Sequence, residues 1–118
     1  MEYQRDNKKV IPKHPNYIVK ENGYVARILA PGVYSTLIPD LSNGYPRVEL
    51  DGKKEYISKL VLETFDPQPD KRLKVFHIDG DRMNCKLNNL VWLTPSEVQL
   101  YSSYTVEYRR KIFGRVRD

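Results

Sequence analysis

Apolar positions in this chain come in short alternating runs, punctuated by Asn-Gly, Asp-Gly and Pro-Gly pairs. That rhythm has the period of strands, and the pairs are residues that tight turns require. Tyr17–Lys20 and Tyr24–Ile28 flank Asn22-Gly23 as one predicted hairpin, closed by Pro31-Gly32. Tyr45–Leu50 and Lys53–Ile57 flank Asp51-Gly52 as a second, after a loop around Ser42-Asn43-Gly44. Ser58 is placed to cap a short helix, Lys59–Phe65, with Leu60, Val61 and Phe65 on one side. Asp66-Pro67-Gln68-Pro69-Asp70 ends it, since proline cannot continue a helix. A strand around His77 follows, then the turn Asp79-Gly80-Asp81, then the apolar run Leu90–Leu93. Thr94-Pro95-Ser96-Glu97 has the order of a helix start, with Thr as cap, Pro next and Glu third. Val98, Tyr101, Tyr104 or Thr105, and Tyr108 then recur at helical spacing, predicting one helix from about Pro95 to about Tyr108.

The pattern implies an α+β chain. A basic extended arm (1–15) precedes a β-hairpin-rich module with a short helix (16–70). A strand–loop–strand–helix unit (71–108) and a basic tail (109–118) complete it, all within one compact unit.

At 118 residues a single domain is expected. The lone Cys85 cannot form an internal disulfide, which points to a reducing compartment. No apolar run approaches a membrane span and the N-terminus is not a signal peptide, so a cytoplasmic protein without membrane contact is expected. The net charge of +5 calls for an anionic partner, with nucleic acid first in line. Nine tyrosines suit half-buried strand and packing positions.

The scarce chemistry gathers in Val75–Val98, which holds one of two histidines, the only cysteine and the only tryptophan. VFHIDGDRMNCKLNNLVWLT resembles the HNH nuclease motif of phage and intron homing endonucleases. His77, Asp79, Gly80, Asn84, Asn89, Leu90, Trp92 and Thr94 match it, while Cys85 stands where a second Asn is usual. Upstream, Tyr17–Val19, Asn22–Arg27, Gly44–Leu50 and Lys59–Pro67 are similar to the small module that often precedes such nucleases. The resemblance covers roughly residues 16 to 100 and implies a ββα-metal (His-Me) finger. It makes His77 the general base and Asn89 the residue orienting it. It also expects metal ligands immediately before the base and in the first turns of the helix.

Those two positions hold Phe76 and Val98, neither with a lone pair for a hard cation. If they face each other, burial contributes roughly 1.5–3 kcal/mol each, and packing has replaced a metal site. On this reading no cofactor is expected. Mg²⁺ or Mn²⁺ enters only if Asp79, Asp81 or Glu97 builds an unorthodox site. The plainer readings make His77 a half-buried strand histidine, Asn84 and Asn89 loop-holding residues, Trp92 a core residue and Cys85 a small loop residue.

Three functions follow from these expectations. The first is a phage-encoded, catalytically impaired nucleic-acid-binding protein in the host cytoplasm. Lys71, Arg72, Lys74, Arg82, Lys86, Arg109, Arg110, Lys111, Arg115 and Arg117 would meet the phosphates of double-stranded DNA. The second is an active metal-dependent nicking endonuclease. The third is a phage factor or virion component that binds a host protein on the same scaffold.

Overall fold

The computed structural model describes residues 7–114. Its first layer is a four-stranded antiparallel meander: β1 (Lys8–Ile11), β2 (His14–Lys20), β3 (Val25–Ala30) and β4 (Val33–Thr36). The hairpin predicted at Asn22-Gly23 joins β2 and β3 with Tyr17 opposite Arg27 and Val19 opposite Val25. Gly23 sits at φ +92°, and a Cβ there would lie 3.3 Å from the Cys85 Cβ, so both backbone and space demand glycine. The second hairpin pairs β5 (Arg47–Leu50) with β6 (Lys53–Tyr56). Its turn uses positive φ at both Asp51 (54°) and Gly52 (80°), the twist-matched geometry of a two-residue hairpin.

α1 (Ile57–Phe65) then runs through the middle of the molecule, with Ile57, Leu60, Val61 and Leu62 buried. They join Tyr17, Val19 and Val25 of the meander, Leu50 of the second hairpin and Leu90 from the finger in one core. Fully burying each such side chain contributes about 1.5–3 kcal/mol, which makes α1 the shared wall of both modules. Two hydrogen bonds reinforce the join. The Leu87 amide donates to Glu21 O at the hairpin tip (2.7 Å), and Trp92 Nε1 donates to Asp66 O after α1 (2.7 Å).

Three local expectations are corrected, and the loop residue Cys85 gains a packing role. Ser58 does not cap α1: Tyr56 holds the cap position without a side-chain bond, and Ser58 is buried in the first turn. Cys85 is buried in the core, where desolvation pushes its thiol up to about 11. Residues 8–14 of the expected arm form β1, a Pro12-Lys13 turn and the start of β2. Ile11 and His14 there are buried. The predicted C-terminal helix is two helices, α2 (Pro95–Ser102) and α3 (Val106–Phe113). Ser102 and Ser103 hydroxyls donate back to Val98 O and Leu100 O, and Thr105 starts a new helix by accepting the Tyr108 amide. α3 also takes up the first five residues of the expected tail.

His14 explains why the arm is not free. Its Nδ1 lies 2.7 Å from Asp51 Oδ2 and its Nε2 2.8 Å from Glu55 Oε2, pinning β2 to the second hairpin. Carboxylates only accept, so both bonds require the doubly protonated imidazolium. The Asp51 hydrogen bond is the largest cause of a raised His14 pKa; burial opposes it and Glu55 adds to it. The resulting stabilisation is complete below the ordinary value of 6.5 and is lost as pH rises through the raised value. In acid, His14→Gln should cost about 1–2 kcal/mol, the low end for a charged hydrogen bond because Asp51 is half exposed. Urea midpoints of the native chain should fall as pH climbs above 6.5, converging on those of the variant; parallel curves would refute the pairing.

Candidate functional site

β7 (Lys74–His77) pairs antiparallel with β8 (Leu90–Leu93), with Phe76 opposite Val91 and His77 opposite Leu90. Residues 78–86 form the loop between them, closed by a 3₁₀ turn at Leu87–Asn89. α2 leaves β8 through a capping box. Thr94 Oγ1 accepts from the Glu97 amide at 3.2 Å, and Glu97 Oε1 accepts from the Thr94 amide at 2.8 Å. The order strand, loop, strand, helix is a ββα finger.

The loop is held by side chains. Asn89 Oδ1 accepts from the Asp79 amide (2.9 Å), while its Nδ2 donates to Asp79 Oδ1 (2.9 Å) and Asn84 O (3.0 Å). Asn84 Nδ2 donates to Asp79 Oδ2 at 2.9 Å, and the Asp81 amide donates to Asp79 Oδ1 at 2.8 Å. Burial raises the Asp79 pKa, but these bonds and the Arg110 charge outweigh it and hold the carboxyl below its ordinary value. The resemblance implies that Asn89 orients the histidine ring. Its side chain is instead committed to the loop, and reaches His77 only through the backbone that follows it.

His77 closes β7 with its ring half-buried and its Nε2 buried without a hydrogen-bond partner. Desolvation lowers its pKa, opposed by Asp79 and Asp81, so the ring is neutral at neutral pH. The Tyr45 ring stands 6.2 Å from it, and the Arg82 guanidinium lies 5.0 Å over that tyrosine. Tyr45, Tyr56, Ser58, Lys59, Val75 and His77 line a small pocket of about 230 Å³. Sequence reasoning missed Tyr45: it belongs to the other module, and nothing local marks it as a neighbour of His77.

The residues expected to bind a metal do not fit one. Phe76 is 7% exposed, and its ring neighbour is Phe113 of α3, 6.5 Å away, with the Arg109 guanidinium 5.3 Å over its face. Val98 is half-buried on α2. The substitute carboxylates are drawn into local bonds. Both Asp79 oxygens accept loop bonds, Asp81 Oδ1 accepts the Met83 amide (2.9 Å), and Glu97 is in the capping box. Among the described residues no group of three His, Cys, Asp or Glu side chains is arranged to hold an ion.

The basic residues divide. Arg109 is corrected outright: it is buried, donating from Nε to Ile78 O (2.8 Å) and from Nη1 to Tyr101 O (3.3 Å) and Ser102 O (3.5 Å). Arg72 is exposed but forked onto Asp70 at 2.8 and 3.1 Å. Lys86 and Arg110 line one polar cleft with Asp79, Asn84 and Asn88. Lys71 lines a different cleft beside Lys13, Lys59 and Trp92. Lys74, Arg82 and Lys111 are exposed; Arg115 and Arg117 lie outside the described residues.

Comparison with known proteins places this geometry. A family model described as HNH endonuclease matches residues 56–100, the stretch from α1 through β7, β8 and most of α2. Over that stretch the chain is similar to the HNH endonuclease family. The HNH homing endonuclease I-HmuI, in a structure of its DNA binding and cleavage, superposes with a TM-score of 0.65 at 25% identity. That match covers 89% of this chain and 64% of I-HmuI. An uncharacterized HNH endonuclease of Acanthamoeba polyphaga mimivirus is 25% identical over 94% of this chain. This chain spans about a third of that relative's length, 34%. Its α+β fold is similar to that of I-HmuI. Among the described residues no helix is long and apolar enough to cross a membrane.

Asn89→Ala removes three side-chain hydrogen bonds at a buried site and should destabilise the fold by about 2–4 kcal/mol. Hydrogen exchange at the Asp79 amide should accelerate in the same variant. Protection equal to the native chain would show that the loop is held by something else.

Proposed function

We propose that this HNH-like chain binds double-stranded DNA without metal-dependent cleavage. The observation behind this reading is the donor set. Phe76 and Val98 stand where the family's ligands are expected, and every neighbouring carboxylate is already bonded within the loop or the helix cap. A divalent ion needs several oxygen or nitrogen ligands at once, and among the described residues no such group converges here.

DNA binding needs less. Arg82 and Lys86 project from the loop between β7 and β8, and Arg110 joins Lys86 in the polar cleft. Together with the net charge of +5 they supply phosphate contacts, which position a protein on DNA without reading its sequence. I-HmuI, which shares the fold, binds and cleaves DNA, and its likeness supports DNA as the partner here.

One observation favours an active nuclease instead. His77 keeps a neutral ring with a free Nε2, the state a general base requires. A base alone accounts for about 10²–10⁴-fold, short of what phosphodiester hydrolysis needs without charge stabilisation at the phosphate.

Affinity for a duplex, measured by fluorescence anisotropy, should fall with salt at a log–log slope of about 0.9 per phosphate contacted. Replacing Lys86 and Arg110 together by Ala should weaken binding and lower that slope by about 2. Arg72→Ala, whose guanidinium is shared with Asp70, should change it less. Affinity indifferent to salt, or to the Lys86 and Arg110 substitutions, would defeat this reading.

A further inference from the structure

We propose that Arg109 is the resident cation of this finger. Its guanidinium, held over Phe76 by backbone carbonyls, takes the face on which an HNH protein would otherwise carry a divalent ion, and α3 is the latch that puts it there. The inference rests on the reading that the metal ligands are lost, and adds what has replaced them.

The guanidinium is gripped by three carbonyls, one just past β7 (Ile78) and two in the last turn of α2 (Tyr101 and Ser102). Carbonyls at a helix C-terminus lack helical partners and carry the negative end of the helix dipole, so they favour a cation. Among the described residues no carboxylate lies within ion-pair distance of Arg109. Among the described residues, a side chain 7% exposed keeps its charge on carbonyl oxygens and the face of Phe76. A Cβ at Gly80 would lie 3.6 Å from Arg109 Nη2, so the group also reaches the turn that follows His77.

Phe113, one turn further along α3, completes the closure. Its ring stands 4.8 Å from Tyr101 and 6.5 Å from Phe76, both edge-on. The carbonyls hold the charge, the Phe76 ring lies against it, and Phe113 packs on Phe76 and Tyr101. A lysine would not substitute, because only the planar fork reaches β7 and α2 together while lying flat on a ring. A carboxylate placed at position 76 would meet this guanidinium before it met an ion from solution.

The test restores the ligands with and without the latch. Phe76→Asp/Val98→Asn is compared with the same pair carrying Arg109→Met, with folding checked by circular dichroism and melting. Mn²⁺ affinity is read by calorimetry and by paramagnetic broadening of the His77 ring resonances. The triple variant should bind Mn²⁺ at least about tenfold more tightly than the double variant. Equal affinity in two folded variants, or no binding by a folded triple variant, overturns the role of Arg109. Mn²⁺ bound at His77 by the unaltered chain would instead defeat the reading that the ligands are lost. Should the Arg109 variants fail to fold, the carboxyl introduced by Phe76→Asp carries the test. Its pKa should lie below the ordinary Asp value of about 3.9, and an unshifted or raised value overturns the proposal.

Discussion

The finger depends on the side chain of Asn89. In a ββα-metal fold the loop after the histidine must keep its shape although it has little apolar surface of its own. Here one buried amide uses its oxygen on the Asp79 backbone and both N–H groups on Asp79 and Asn84. Leaving any of these buried groups unpaired would cost about 1–3 kcal/mol, so the network holds as a whole or fails as a whole. It also decides the chemistry. Asp79, the carboxylate nearest His77 in sequence, spends both oxygens on loop hydrogen bonds.

With the loop held this way, the rest of the finger is free to close by packing. Phe76 points to Phe113 and Arg109, and α3 folds back to supply both. The Phe76 face is thus closed by residues of α3 that the sequence reads as part of a basic tail. Behind the finger, α1 joins it to the β-rich module in one core, so neither unit has an independent interior. The hairpin tip at Gly23 and the indole of Trp92 fix their relative orientation. This is how Tyr45, from the second hairpin region, comes to stand beside His77.

Much of this was legible where local chemistry decides geometry. Asn22-Gly23 and Asp51-Gly52 marked both hairpins because positive φ restricts the residues that can stand there. Thr94 and Glu97 marked the start of α2 for the same kind of reason, and the reading of Asn84 and Asn89 as loop-holding residues matches their bonds. What could not be read depends on distant partners. β1 and β4 are short and largely exposed, so no alternation betrays them. The tyrosine spacing runs on across the break between α2 and α3 because the break is made by serine hydroxyls, not by a proline or glycine. Arg109 sits in a run of cations, and only the carbonyl of Ile78, 31 residues earlier, makes it a core residue.

On the proposed reading, an HNH-like scaffold keeps a histidine at the base position without the ligands for a cation. A plasmid-nicking assay of the purified chain with Mn²⁺, set beside His77→Ala prepared in parallel, addresses it most directly. The account predicts that the two preparations leave supercoiled DNA equally intact at concentrations that saturate binding. Mn²⁺-dependent nicking by the native chain that disappears in His77→Ala would contradict it.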